Sequence, residues 1–278
     1  MRVPRVLSGA LLGATLILLA GCHRDVRHDP DAFAWSHSLP PGTTVHLRTT
    51  NGDVTVHGTA DPNAHVRGVK RWRRGRARDV RLVVARRRDG DVYVCAIWVR
   101  RGGRCGHERY GPRPPRILAM FSLLGRRTDM QASFEVALPP GVGVDASTVN
   151  GRVVVTEAAG NVRAETVNGD IRATTTGASA LALTTVNGSI RARAASLADG
   201  APVELRTVNG SVTAELPTAL DAEVRLSTVN GHIATDYPIQ FSGKADRRDI
   251  RGTIGQGGRT VELKTVNGAV ELRRAVGG

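Results

Sequence analysis

The chain carries three cysteines, eight histidines, 25 carboxylates and 39 basic side chains, and their spacing limits the chemistry they can do. Cys95 and Cys105 have no His or Cys neighbour at zinc-ligand spacing, so a metal is not expected there. In an oxidising compartment such a pair forms a disulfide, closing a short loop that stabilises by roughly 2–3 kcal/mol. Six histidines (His23, His28, His37, His46, His57, His65) lie toward the amino end and read as surface residues rather than metal ligands. No Gly-x-Ser-x-Gly, His-Glu-x-x-His, phosphate-cradling glycine loop or EF-hand spacing occurs. A glycan-cleaving site would need two neighbouring acids. Asp53 and Asp170 share a repeat position, but the units bearing Arg152 and Ser189 separate and flank them, which does not build a tight pair. Neither catalytic residues, nor a metal, nor a cofactor are expected.

The arginines are the remaining candidates. Between Arg67 and Arg127 stand 19 Lys plus Arg against 4 Asp plus Glu, a net of +15, while the chain beyond this segment and the first 21 residues sums to −3. The densest stretches are Arg71, Arg73, Arg74, Arg76 and Arg78, and then Arg86, Arg87 and Arg88. Such a segment attracts phosphates and other polyanions, at about 1 kcal/mol per residue near an anionic surface. Since only three of the 39 basic residues are Lys, a coding bias toward Arg and a merely solvated face is the competing account.

The elements that must position these residues come from a repeat. Thr-Val-Asn-Gly occurs six times, at Asn150-Gly151, Asn168-Gly169, Asn187-Gly188, Asn209-Gly210, Asn230-Gly231 and Asn267-Gly268, and Thr49-Thr50-Asn51-Gly52 is a seventh variant. Successive middle asparagines are 18, 19, 22 and 21 residues apart, a unit too short to bury its own apolar face without stacking. Six residues before each Asn stand Val45, Val144, Val162, Leu181, Val203, Val224 and Val261, and three residues after it Val54, Val153, Ile171, Ile190, Val212, Ile233 and Val270. These period-two columns are half-buried strands on either side of a corner. Stacking in sequence order would set Asp145 beside Arg163, Glu204 beside Arg225 and Arg152 beside Asp170.

Two all-β geometries fit. Asn-Gly is a strong hairpin signal, because both residues tolerate positive φ, and would give an antiparallel meander or sandwich. A β-solenoid of the right-handed β-helix-like kind, with coils of about 20 residues and Asn-Gly corners, also explains why Thr and Asn repeat so literally, since identical residues of successive coils stack into ladders. The solenoid is the expected fold, and the Asn-Gly pairs are expected to be corners rather than ligand sites.

Arg2 and Arg5 precede the apolar run Leu11–Leu19, which reads as a secretory signal peptide. Leu19-Ala20-Gly21-Cys22 resembles the lipobox of bacterial lipoproteins, which implies acylation of Cys22 and a stable membrane anchor. In a Gram-negative cell His23 after that Cys implies the outer membrane. Residues 1–21 are then leader, 22–38 a polar tether, 39–137 a first β unit with the basic insertion, and 138–278 the repeat array. Leu39-Pro40-Pro41-Gly42 and Leu138-Pro139-Pro140-Gly141 start the pattern twice. Between them, alternation at Val80, Leu82 and Val84 and again at Val92, Val94, Ala96 and Trp98 predicts a hairpin around Asp89-Gly90 that carries Cys95. The apolar run Ile117–Leu124 is expected to pack over an end of the array.

The lipobox, the two Leu-Pro-Pro-Gly starts, the Thr-Val-Asn-Gly units and the long final gap from Asp236-Tyr237-Pro238 through Gly255-Gln256-Gly257-Gly258 resemble the putative-adhesin β-strand-repeat family, domain of unknown function 4097. The resemblance runs from about Leu39 to the carboxyl end and implies an exported, non-enzymatic β-solenoid. The expected function is a lipid-anchored cell-envelope module that binds or scaffolds in the manner of an adhesin, with the basic segment on anionic envelope polymers or lipids. The alternatives are an assembly or regulatory factor for an envelope protein and, third, an enzyme acting on glycans. Nucleic acid is not expected as a partner.

Overall fold

The structure is a computed structural model that describes residues 27–99, 105, 129–241 and 247–275. The strand before each Asn lies in one sheet and the strand after it in another, so the Asn-Gly pair turns the corner between sheets. The pre-corner strands are β2 (Thr44–Arg48), β8 (Gly143–Ser147), β10 (Val162–Glu165), β12 (Leu181–Thr184), β14 (Val203–Arg206), β16 (Ala222–Ser227) and β20 (Arg259–Lys264). Their post-corner partners are β3 (Val54–Gly58), β9 (Val153–Ala158), β11 (Ile171–Ala178), β13 (Ile190–Ser196), β15 (Val212–Leu216), β17 (Ile233–Thr235) and β21 (Val270–Arg274). Strands of neighbouring coils pair in parallel and in register, Val162 beside Val144 and Leu181, Ile171 beside Val153 and Ile190. This is a β-solenoid.

The alternating columns face each other across the space between the two sheets. Val144, Ala146, Val153 and Val155 are 0–1% exposed, and their equivalents in the other coils are buried too, save in β17, which is only partly covered. Each fully buried Val, Leu or Ile contributes about 1.5–3 kcal/mol, so the core is a stack of small contributions repeated by every coil.

The corner shows why the motif is literal. Thr two places before each Asn is buried; in the six later units its hydroxyl donates to the glycine carbonyl of the adjoining coil, Thr148 to Gly52 at 3.0 Å, Thr185 to Gly169 at 2.9 Å and Thr265 to Gly210 at 2.8 Å, and Thr49 donates instead to the Ala132 carbonyl at 2.8 Å. The glycine is needed for this approach, because a Cβ on Gly188 would overlap the Gly169 carbonyl oxygen. Among the described residues the sole non-glycine with positive φ is Glu157 (φ 55), so the corner asparagines are not in the left-handed conformation that a tight hairpin turn requires. The asparagines form an amide ladder, each Nδ2 donating to the Oδ1 of its neighbour at 2.7–2.8 Å through all seven coils.

The ladder corrects the order of the coils. It runs Asn51, Asn150, Asn168, Asn187, Asn209, Asn267, Asn230, so the last coil of the chain is inserted before the sixth. Asp145 does stand beside Arg163, and Arg152 comes level with Asp170. Glu204 does not meet Arg225. Glu262 of the inserted coil lies between them, and Arg206 bridges Glu204 and Glu262. The cause is the long gap before the last repeat, where β19 (Asp249–Ile254) runs antiparallel along one side of β16, with β18 (Gln240–Phe241) paired antiparallel outside it, and leaves β20 to enter on the other side of β16.

Further strands complete both ends. Beyond β3 the first sheet continues through β7 (Gln131–Leu138), β4 (Asn63–Trp72) and β1 (Arg27–Ser38), and beyond β2 the second continues through β6 (Val92–Trp98) and the edge strand β5 (Val80–Arg86). Residues Arg27–Ser38 are thus a strand and not a tether. Phe33 and Trp35 alternate with exposed Ala34 and Ser36 and pack against the core, an apolar gain that a free linker would forgo. Leu82 of β5 packs on the bare backbone of Gly68 in β4, which draws the two sheets together at this end. At the other end Tyr237 fills the core and donates from its hydroxyl to the carbonyls of Leu216 and Pro217, at 2.7 and 2.9 Å. Burial, only partly offset by the Arg274 charge, raises its phenol to about 12. The run Ile117–Leu124 lies outside the described residues.

Candidate binding surface

Trp72 ends β4, and the chain then crosses from the first sheet to the second through a turn containing Arg73, Arg74, Arg76 and Arg78. Two carboxylates hold its backbone. Asp129 accepts from the amides of Arg73 (2.9 Å) and Arg74 (2.7 Å), and Asp79 accepts from that of Arg76 (2.9 Å). Burial would raise the Asp129 carboxyl, but these amides and the Arg74 charge outweigh it and keep the group below the usual carboxylate range. The guanidinium groups are left outward, since Arg71, Arg73, Arg74, Arg76 and Arg78 are all exposed and none makes an ion pair among the described residues.

The second stretch is elsewhere. Arg86, Arg87 and Arg88 sit at the far end of β5, whose seven residues span about 20 Å. Arg86 meets His37 Nε2 at 2.9 Å, and Arg87 pairs with Asp89 at 3.6 Å and lies 5.8 Å over the Tyr93 ring. The eight arginines therefore form two patches rather than one, and the turn is the patch without ion pairs among the described residues.

Beneath the turn Lys70 is buried on the inner face of β4, its Nζ 3.4 Å from the Ala77 carbonyl. Burial lowers its pKa, with Asp29 opposing. Trp72 Nε1 is buried there without a hydrogen-bond partner among the described residues.

Three devices fix the hairpin that carries this basic end. β5 and β6 pair antiparallel around Asp89-Gly90. Cys95 and Cys105 form a disulfide with Cα atoms 5.7 Å apart. A polar clamp then joins the hairpin to the first two coils, and no sequence motif announced it. His46 of β2 is buried, stacked on Tyr93 at 4.1 Å, with Nδ1 2.9 Å from Asp145 and Nε2 3.1 Å from Asp91. Arg48 places its two terminal nitrogens on the same Asp145, at 3.0 and 2.5 Å. Burial alone would raise the Asp145 carboxyl, but the hydrogen bonds from His46 and Arg48 and the Arg48 charge prevail and hold it at about 2. Asp91 also accepts the Thr44 amide at 2.8 Å, so one carboxylate ties hairpin to coil twice. A signal for it existed, in that His46, Arg48 and Asp145 occupy outward columns of adjacent coils, but adjacency of coils 99 residues apart was needed to use it.

The acids considered for catalysis have structural partners. Asp53 accepts the Arg152 amide at 2.8 Å and Asp170 the Ser189 amide at 2.9 Å. Ser189 and Ser211 do the same for the coils that follow, each at 3.2 Å, which makes the second place after Asn a capping column. Among the described residues no group of three or more His, Cys, Asp or Glu is arranged to hold a metal ion, and no helix is long and apolar enough to cross a membrane. Cys22 lies outside the described residues.

The parallel coils, the amide ladder and the buried threonines coincide with a known repeat. The family model Toastrack DUF4097 matches residues 144–273. This segment is similar to the Toastrack repeat. The match opens at β8 and leaves out the coil of Asn51, which nonetheless forms the first rung of the same amide ladder. No curated protein matches the chain. Solved structures similar to it include two adhesion-type proteins. A putative cell adhesion protein from Clostridium sporogenes ATCC 15579 covers 88% of this chain and 100% of its own at 10% identity, with a TM-score of 0.47. A putative adhesin from Bacteroides fragilis NCTC 9343 covers 87% of this chain and 96% of its own at 9% identity, with a TM-score of 0.31.

Proposed function

We propose that this protein is a non-enzymatic, adhesin-like module of the cell envelope that binds anionic polymers or lipid headgroups through the turn Arg71–Arg78. The observation that carries this reading is the turn itself, in which five exposed arginines make no ion pair among the described residues while Asp129 and Asp79 each turn an oxygen to the backbone. A rigid loop that displays free guanidinium forks has already met the ordering cost of binding phosphate or carboxylate. The amino-terminal pattern ending at Cys22 supports a lipid anchor, which would hold the turn close to such polymers.

Binding of the full chain to lipopolysaccharide and to phosphatidylglycerol vesicles, with and without Arg71, Arg73, Arg74 and Arg76 changed to Ser, tests the turn. Salt-sensitive binding that the quadruple variant loses is expected, and binding indifferent to salt or to these changes would refute it. Labelled palmitate incorporated by the wild type but not by Cys22→Ser tests the anchor.

One feature favours a protein partner as a second reading. β17 is an edge strand of only three residues, paired with β21 on one side, and it offers its other side for strand addition. Crosslinking in cells that recovers one dominant envelope protein at β17 would support it.

A further inference from the structure

The outer face of the ten-stranded sheet holds a third arginine cluster, in the segment that matches the Toastrack model and far in sequence from the basic segment. Arg172 on β11 and Arg191 on β13 are direct register partners, and both are exposed. Neighbouring strands are about 4.8 Å apart, so two full charges stand side by side. Along the same row the flanking residues are Val154 and Thr213, neither of which neutralises them. Arg193 lies two places further along β13, facing Thr174.

The nearby acids are engaged. Asp170 accepts the Ser189 amide, and Glu215 lies 4.0 Å from Arg193. Elsewhere on this face arginines have acids of their own, Arg67 with Glu135 at 3.4 Å and Arg273 with Asp236 at 2.9 Å. Arg172 and Arg191 have no ion pair or hydrogen-bond partner for their side chains among the described residues. Like charges directly opposite in a sheet destabilise it, so the pair is a standing cost unless an anion joins the two forks.

We propose that Arg172 and Arg191, with Arg193 beside them, bind the sulfate or phosphate esters of an anionic polysaccharide laid across the flat sheet. The surroundings favour a glycan over the other polyanions. Hydroxyl residues Thr174, Ser189 and Thr213 border the pair and suit sugar hydroxyls. The exposed valines Val167, Val186, Val208 and Val229 lie on the Asn corner, so this face offers no apolar wedge for an acyl layer. The exposed aromatic Phe241 belongs to β18 in the other sheet, and among the described residues no Phe, Tyr or Trp borders the pair to stack on bases. The inference shares its ligand chemistry with the turn Arg71–Arg78 but not its residues, so either can fail alone.

The test uses the full chain bearing Arg71, Arg73, Arg74 and Arg76 as Ser, which silences the turn, and titrates it with a heparin octasaccharide, a phosphomannan fragment, single-stranded DNA and phosphatidylglycerol vesicles. Adding R172S/R191S is expected to weaken glycan binding about tenfold or more, the worth of two charge-assisted contacts. The heparin and phosphomannan arms show which ester is preferred. Without ligand the double variant should melt at the same or a slightly higher temperature, which separates lost binding from lost folding. Glycan binding unchanged by R172S/R191S, or a larger dependence on these arginines for DNA or vesicles than for either glycan, would overturn the proposal.

Discussion

Asn267 donates its side-chain amide to Asn209 at 2.8 Å across 58 residues of sequence, while Asn230, the nearest repeat after Asn209, is held one rung further out by the same Asn267. The chain therefore lays down its sixth coil with a vacant level beneath it and fills that level last. Both neighbours of the inserted coil must be in place for β20 and β21 to pair on two sides. Closure of the array is thus a long-range event, of the kind that slows folding because loop entropy is lost before the contacts repay it.

Engineered cysteines test the coil order directly. Ser211 and Ala269 occupy equivalent places in adjoining rungs, and the Ala269 amide reaches Ser211 Oγ at 3.2 Å. Register neighbours about 4.8 Å apart fall within the Cα window for a disulfide, whereas residues two rungs apart do not. S211C/A269C should crosslink on mild oxidation, and S211C/H232C should not. The reverse result would restore sequential stacking.

Much of this architecture was legible in the residues. The two columns around each Asn gave the inward faces, the literal repeat gave the parallel ladder, and Asp89-Gly90 gave the hairpin. The order of the rungs was not legible, because every unit presents nearly the same edge and the charges of Glu204 and Arg225 argued for the wrong neighbour. Strand β1 was hidden because Phe33 and Trp35 are only two apolar positions in a polar stretch. The clamp at His46 was hidden for another reason. Its partners become neighbours only once coils remote in sequence are stacked, so no local spacing encodes it.

The corner glycines separate two uses of the residue. A methyl group at Gly188 would overlap the Gly169 carbonyl oxygen, which is backbone held by Thr185 and cannot yield. At Gly200 the backbone has φ 69 but nothing lies within 4 Å of a Cβ. G200A should therefore lose only about 1 kcal/mol, the cost of a left-handed alanine. G188A should lose at least about 3 kcal/mol, since neither coil can part without breaking ladder bonds. Urea unfolding compares them, and equal losses would refute the steric account.

Thr185 isolates the hydroxyl. It is 1% exposed and donates to the Gly169 carbonyl at 2.9 Å, so T185V keeps the shape but places a methyl against an acceptor. The expected loss is about 1–2 kcal/mol, the cost of a buried carbonyl deprived of its donor. T185S retains the hydroxyl and should recover most of it. Should T185V prove neutral in urea unfolding, the threonine column would owe its repetition to β-propensity alone.

The polar clamp sets an acid limit on the basic end. The Asp145 carboxyl falls from 3.8 to about 2 on folding, so the unfolded chain takes up its proton first. Its contribution is full above pH 4 and disappears as the pH drops through about 2, which amounts to about 2 kcal/mol for this mostly buried group. D145N removes the titration and, at pH 7, takes the anion from Arg48, while His46 keeps Asp91. Unfolding free energies at pH 6 and pH 2 should then differ less in D145N than in the wild type, by about those 2 kcal/mol. The variant should also be less stable than the wild type at pH 6, because Arg48 would be left half-buried beside a neutral amide. An acid response equal in both proteins would show that Asp145 is not the group that couples the first two coils to proton concentration.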